Sequence, residues 1–448
     1  MKFKRAVSLI VALVMVCSVM LVPVSAKEST VVAANYATSD YVGDYDRDTP
    51  VIIVHGMSQN NTYLLNEDGT RMTDDKGDYI TGWPLEIDIM GLLKNALVPL
   101  LASVVSRSDA GLTDAMRKGA YEGLYAIHKD NEGNYVTPVE VPCYECPMSE
   151  LPEDLKAEYY EFLRLQGLAE IIGEENIYYF GYDSFGDVIG ETEKLHHFIH
   201  DVVLPQTGAE QVRLCNISLG GTIGVNYLET YPEDYFLIKR MLFVIPAIDG
   251  SDIIGDLLTN NVSVLYDNEM LYSKFLPSLL GETPLAYLLN VVLRILPTDV
   301  MQSALGGLVE GVVESGVRTT TIMWALCPTD YYEEAREKWL SDDEYAVVRE
   351  KVDYYMQARA NFGKNLYKLM ENGTEVFDIV CYGGGMFPLC KDYNVTNGDG
   401  IVHSTSASMG ATFANVGETL PEDYVAAGTY CNNPAHDHIS PDRTVDPT

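Results

Sequence analysis

Five short apolar runs, each closed by a chain breaker, limit what this chain can become. Thr49-Pro50-Val51-Ile52-Ile53-Val54 ends at His55-Gly56, and Asn176 to Tyr182 ends at Asp183; Gln211 to Cys215, Met241 to Ile245 and Phe377 to Tyr382 are the others. A continuous apolar run of this length suits a strand covered on both faces, where an alternating one would suit a half-exposed strand. From Asp187 to Leu204 the residues Leu195, Phe198, Ile199, Val202 and Val203 fall at helical spacing, and a helix over 222–230 follows the third run. Strands alternating with helices predict an α/β fold: a mostly parallel central sheet with helices on both faces.

Other stretches decorate that frame. Residues 62–82 carry Asp68-Gly69 and Lys76-Gly77-Asp78 in polar surroundings, which predicts a hairpin or excursion loop. Helical patterns follow near 87–106 and 109–127. Between the fourth and fifth runs, Thr283-Pro284 suits the N-cap and first residue of a helix. Leu285–Leu296 is apolar on nearly every side yet too short to span a bilayer, and a second apolar helix is expected over Val300–Val313. An insertion this apolar must pack on something. Residues of about 252–330 are therefore expected to form a helical cap, or lid, over the sheet.

Residues 1–26 read as a secretory leader. Lys2, Lys4 and Arg5 precede an apolar stretch from Ala6 to Val22, and Val24-Ser25-Ala26 is a small-residue cleavage site. Polar residues resume at Lys27, so the expectation is cleavage after Ala26 and secretion, with no stable membrane anchor. Residues 27–448 would then form one domain with its insertion. The net charge of −35 argues against nucleic acid as a partner, since such binding depends on neutralising phosphates. Past the leader the cysteines are Cys143, Cys146, Cys215, Cys327, Cys381, Cys390 and Cys431, an odd number, so at least one is free or paired between chains. Cys381 and Cys390 flank a Gly-rich loop and are placed for a local bridge. Cys143-x-x-Cys146 has no second such pair and no H-x₃₋₅-H spacing alongside it; no metal or cofactor is expected.

Chemistry enters at Asn216-Ile217-Ser218-Leu219-Gly220-Gly221, between the third strand and its helix. A serine on a sharp strand-to-helix turn points its hydroxyl out of the sheet, and the helix N-terminus favours developing negative charge. A small residue usually stands two positions before such a serine; here Asn216 does. Downstream, Asn397-Gly398-Asp399-Gly400-Ile401-Val402 sets an Asp in a tight turn, where it suits the acid that orients an imidazole, or else simply bonds its own turn. Of the late histidines, His403 is close enough to Asp399 to be a packing or capping residue. His438, with His436 as the alternative, lies in a polar loop placed to return to the strand ends. The backbone N–H groups of Met57, after the first strand, and Leu219 are the expected oxyanion donors. His55 is expected to be structural.

Together these segments resemble the bacterial lipase branch of the α/β-hydrolases, with features of the lecithin–cholesterol acyltransferase-like group. VIIVHGM resembles the oxyanion strand and loop, NISLGG the nucleophile turn apart from Asn216, and NGDGIV the acid turn. YYFGYDS resembles the family's Y-D-W segment with Ser184 in place of Trp. FVIPAIDGS is similar to a segment usually reading T-P-H-x-G-S, and TTTIMWALCPTDYY at 319–332 to the return from the lid. The resemblance implies an α/β-hydrolase fold and a secreted lipase or esterase that cleaves carboxylic esters through an acyl-enzyme. Ser218, His438 and Asp399 would be its triad and an ester or lipid its substrate. Acyl transfer to an alcohol, or a catalytically dead hydrolase-fold binding protein, are the alternatives.

Overall fold

A computed structural model of the chain describes residues 46–85, 89–163, 165–277, 281, 284–426 and 438–447. The expected leader, Thr283, Cys431 and His436 lie outside the described residues. The central sheet is built of β1 (Val51–Val54), β2 (Ile177–Phe180), β3 (Val212–Ile217), β4 (Ile238–Val244) and β5 (Glu375–Ile379). All neighbours are parallel, in the order β2-β1-β3-β4-β5.

Continuous apolar sequence is what β1 and β2, buried on both faces, require. Ile52, Val54, Tyr178, Phe180, Leu214 and Phe243 point into the larger core cluster. Their neighbours Val51, Ile53, Ile177 and Tyr179 point the other way, into a smaller cluster with Met148, Leu151 and Tyr159. Each fully buried aliphatic side chain of this size contributes roughly 1.5–3 kcal/mol.

Four helices position the site: α1 (Val188–His197), α2 (Gly220–Thr230), α3 (Asp252–Thr259) and α4 (Ala346–Glu371). Asp187 caps α1 by accepting the Ile189 N–H, and it also bonds Thr321 and Lys351 of α4. Helix α2 is buried from Gly220 to Leu228 and packs against both α1 and α4. After His197, α1 widens into a π-helical turn, Phe198–Val203.

Residues 62–82 form the expected hairpin: Thr62–Leu64 pairs antiparallel with Thr81–Trp83, and with Val139–Glu140 on its other side. The insertion supplies the helices Pro284–Ile295 and Thr298–Val312. The latter lies closely on Leu112–Gly123. A Cβ on Gly307 or Gly311 would meet the Thr113 or Arg117 carbonyl oxygen at 2.5 or 2.2 Å. No helix among the described residues is long and apolar enough to cross a membrane.

Candidate active site

Ser218 is the first residue after β3, with φ +49°. An L-residue in this left-handed region costs roughly 1–3 kcal/mol and persists only where its surroundings hold it there. Here they do. The Ser218 N–H donates to the Val244 carbonyl (3.0 Å), and its own carbonyl accepts from Gly221 (2.9 Å) and Ala247 (3.1 Å). The chain then turns directly into α2. Gly220 permits this, because a Cβ there would lie 2.3 Å from the Val54 oxygen at the end of β1. Gly221 permits it on the other side, against Pro246 after β4 (2.7 Å).

Asn216 is fully buried, and neither atom of its amide has a hydrogen-bond partner among the described residues. Room for it comes from Gly224 on α2, where a Cβ would stand 3.0 Å from its Oδ1. An unsatisfied buried amide costs about 1–3 kcal/mol. Asn216 therefore draws on stability.

Strands β1 and β3 are neighbours in the sheet though not consecutive in the chain, so their carboxyl ends flank the point where strand order reverses. In open parallel sheets ligands bind at such a point. Gly56 and Met57 follow β1 there, beside Ser218. His55 fixes this loop: stacked on Tyr182 (4.0 Å), it bonds the Gly56 carbonyl through Nδ1 (2.6 Å) and accepts the Tyr182 N–H at Nε2 (3.2 Å). Burial lowers its pKa to about 4, so the ring is neutral. Gln59 Oε1 takes the Gly56 N–H. The N–H groups of Met57 and Leu219 donate to no acceptor among the described residues.

Asp399 sits in a tight turn and uses one carboxylate oxygen on it: Oδ1 accepts from Ile401 and Val402, both at 2.8 Å. Oδ2 makes no hydrogen bond among the described residues. The loop is stitched to the segment after β4, the segment that bonds Ser218 through Ala247. Ser251 Oγ donates to the Ile401 carbonyl, and Ser406 Oγ links the Asp249 N–H to the Gly250 carbonyl. His438 opens the last described segment. That segment docks nearby through pairing of Val445–Asp446 with Thr412–Phe413, and Asn397 bonds the Ala414 carbonyl. The loop of Asp399 and the segment of His438 thus share one substructure, although Asp399 bonds only within its own turn and, among the described residues, Ser218 Oγ bonds neither Asp399 nor His438.

The structure also places a pair that sequence reasoning missed. His403 was expected to pack or cap. It does stand at the N-cap of Ser404–Ala407, but its side chain caps nothing. Its Nδ1 instead lies 3.5 Å from Asp252 Oδ1 at the start of α3, both side chains largely buried. Burial raises the Asp252 pKa, opposed by His403. No local pattern signals a contact between residues so far apart in the chain. Cys381 carries a free thiol, so the expected bridge to Cys390 is not formed.

No family model matches the chain, and no curated protein matches it.

Proposed function

We propose that the chain is a serine ester hydrolase of the α/β-hydrolase kind, exported and acting on carboxylic esters of lipids or other apolar acyl groups. The observation that carries this reading is the left-handed backbone of Ser218 on the strand-to-helix turn beside Gly56-Met57. A serine held against its backbone preference at such a turn is the arrangement that presents a nucleophilic hydroxyl at the sheet's end, and strain of this kind collects at working sites.

In the proposed reaction His438 removes the Ser218 proton as the oxygen attacks the ester carbonyl. Asp399 holds the imidazole through its free oxygen while its other oxygen fixes the turn. The Met57 and Leu219 N–H groups stabilise the tetrahedral oxyanion, each such donor being worth roughly 3 kcal/mol. The alcohol leaves with the imidazole's proton, and water releases the acid from the acyl-enzyme. An apolar substrate is favoured by two helices that leave apolar side chains more than half exposed: Leu97, Val98, Leu101 and Val105 on Ile89–Ser106, and Tyr287, Val291 and Ile295 on Pro284–Ile295.

Fluorophosphonate labelling and p-nitrophenyl ester hydrolysis by the purified chain test the proposal together. Both are expected in the parent and absent in Ser218→Ala. Full activity in that variant, or a parent that neither labels nor hydrolyses esters, overturns it.

A further inference from the structure

Away from Ser218, three strong donors converge where α1 meets the segment after α2. His196 and His200 stand four residues apart across the junction of α1 with the π-helical turn, a spacing that keeps both rings on one side of the helix. Asp234 lies in the turn Pro232–Leu237 that follows α2, with only 4% of its side chain exposed. His196 Nδ1 is 2.9 Å from Asp234 Oδ2, and His200 Nε2 is 3.1 and 3.0 Å from Oδ1 and Oδ2. One ligand atom from each of the three residues falls within 4.8 Å of the others. Ligands of a tetrahedral zinc ion stand about 3.3 Å apart, so the two His–Asp contacts would open by a few tenths of an ångström around an ion.

We propose that His196, His200 and Asp234 bind one divalent transition-metal ion, zinc by donor chemistry. Two imidazoles and a carboxylate suit zinc, whereas calcium and magnesium take oxygen ligands. The surroundings are those of a built site. Tyr227 Oη donates to Asp234 Oδ2 (2.6 Å), the kind of outer contact that orients a metal-binding carboxylate. Tyr231 stacks on the His196 ring (4.0 Å, 8°) and fixes its plane. His197, between the two, pairs with exposed Asp201 instead. His200, a third exposed, leaves a way in for the ion and a place for water. The ion would tie the end of α1 to the turn behind α2, the helix that follows Ser218.

The test is equilibrium dialysis of the chelator-treated full chain against Zn²⁺ alone, with thermal unfolding alongside. Expected are one saturable equivalent and a midpoint raised by several degrees. His200→Gln, His196→Gln and Asp234→Asn should each weaken binding at least tenfold and abolish the shift. Cys146→Ser should leave both unchanged, and Ca²⁺ or Mg²⁺ should produce neither. Saturable binding that survives in His200→Gln or His196→Gln, whichever folds by circular dichroism, overturns the proposal, as does a parent that binds no Zn²⁺. None of these readouts is ester hydrolysis, so the result stands apart from the proposed activity.

Discussion

Gly56 and Ser218 meet at the carboxyl ends of neighbouring strands, where a Cβ on Gly56 would lie 3.2 Å from the Ser218 Cβ. The same Cβ would stand 3.4 Å from Gln59 Oε1, which holds the Gly56 N–H. A methyl group there must displace either the serine or the loop carrying Met57. Gly56→Ala is therefore expected to lower kcat/KM on p-nitrophenyl esters by about ten- to a hundredfold, since small misplacements at reacting groups are costly. Its unfolding free energy should fall by no more than about 1–2 kcal/mol. Urea unfolding beside steady-state kinetics checks this; equal activity in both chains would show that the turn tolerates the displacement.

The two late imidazoles make different predictions. His438 belongs to the segment docked beside the Asp399 loop, while His403 faces Asp252 at the start of α3. If His438 is the base, His438→Ala should reduce kcat by about three orders of magnitude or more, the scale seen when a triad member is removed. His403→Ala should cost less than about tenfold in kcat, with its main effect on stability, because it leaves a buried Asp252 without its partner. The opposite ranking in a kinetic comparison would transfer the base role to His403 and the acid role to Asp252.

The centre of the sheet was legible in the sequence because β1 and β2 are buried on both faces and read as unbroken apolar runs, whereas β3 and β4 alternate between buried and half-buried positions and β5 is largely exposed. The ends of the strands were less so. β4 begins at Ile238, three residues before the apolar run, because Lys239 and Arg240 satisfy their charges on Asp46 and Glu375 and can lie in a strand. β3 continues through Asn216, which looks like a breaker until Gly224 on the next helix makes room for it. The turn at Ser218 was readable from local spacing alone. The His403–Asp252 contact was not, since it depends on how a loop after β5 returns to the start of α3. The spacing of His196 and His200 stands openly in the sequence, but without the fold nothing there brings Asp234 to it.

Asn216 and Gly224 form a coupled pair. Gly224→Ala would press a methyl against Asn216 Oδ1 and the end of Met241, each at 3.0 Å. Overpacking of this kind costs about 1–3 kcal/mol. In an Asn216→Ala background the amide is gone and only the flexible methionine has to yield, so the cost of Gly224→Ala should shrink by about 1 kcal/mol or more. Asn216→Ala alone should be close to neutral, because it removes an unsatisfied buried amide together with its packing. A double-mutant cycle by chemical denaturation measures this coupling. Strict additivity would mean that the two side chains do not compete for one space.

His55 gives stability an acid limit. Its pKa is lowered from 6.5 to about 4, chiefly by burial, with the bonds to Gly56 and Tyr182 acting in the opposite direction. Between these values the unfolded chain binds a proton that the folded chain refuses. Stability is therefore level above pH 6.5 with respect to this group and declines as the pH drops towards 4, at up to about 1.4 kcal/mol per unit and by roughly 3 kcal/mol across the window. His55→Gln removes the titrating ring while keeping a polar group in its place. The two chains should therefore converge in stability between pH 7 and 4.5, with the parent losing more, in urea unfolding series at fixed pH. Parallel curves across that interval would show that the ring is protonated equally in both states, and hence that it is not locked behind β1 as the neutral support of the Gly56-Met57 loop.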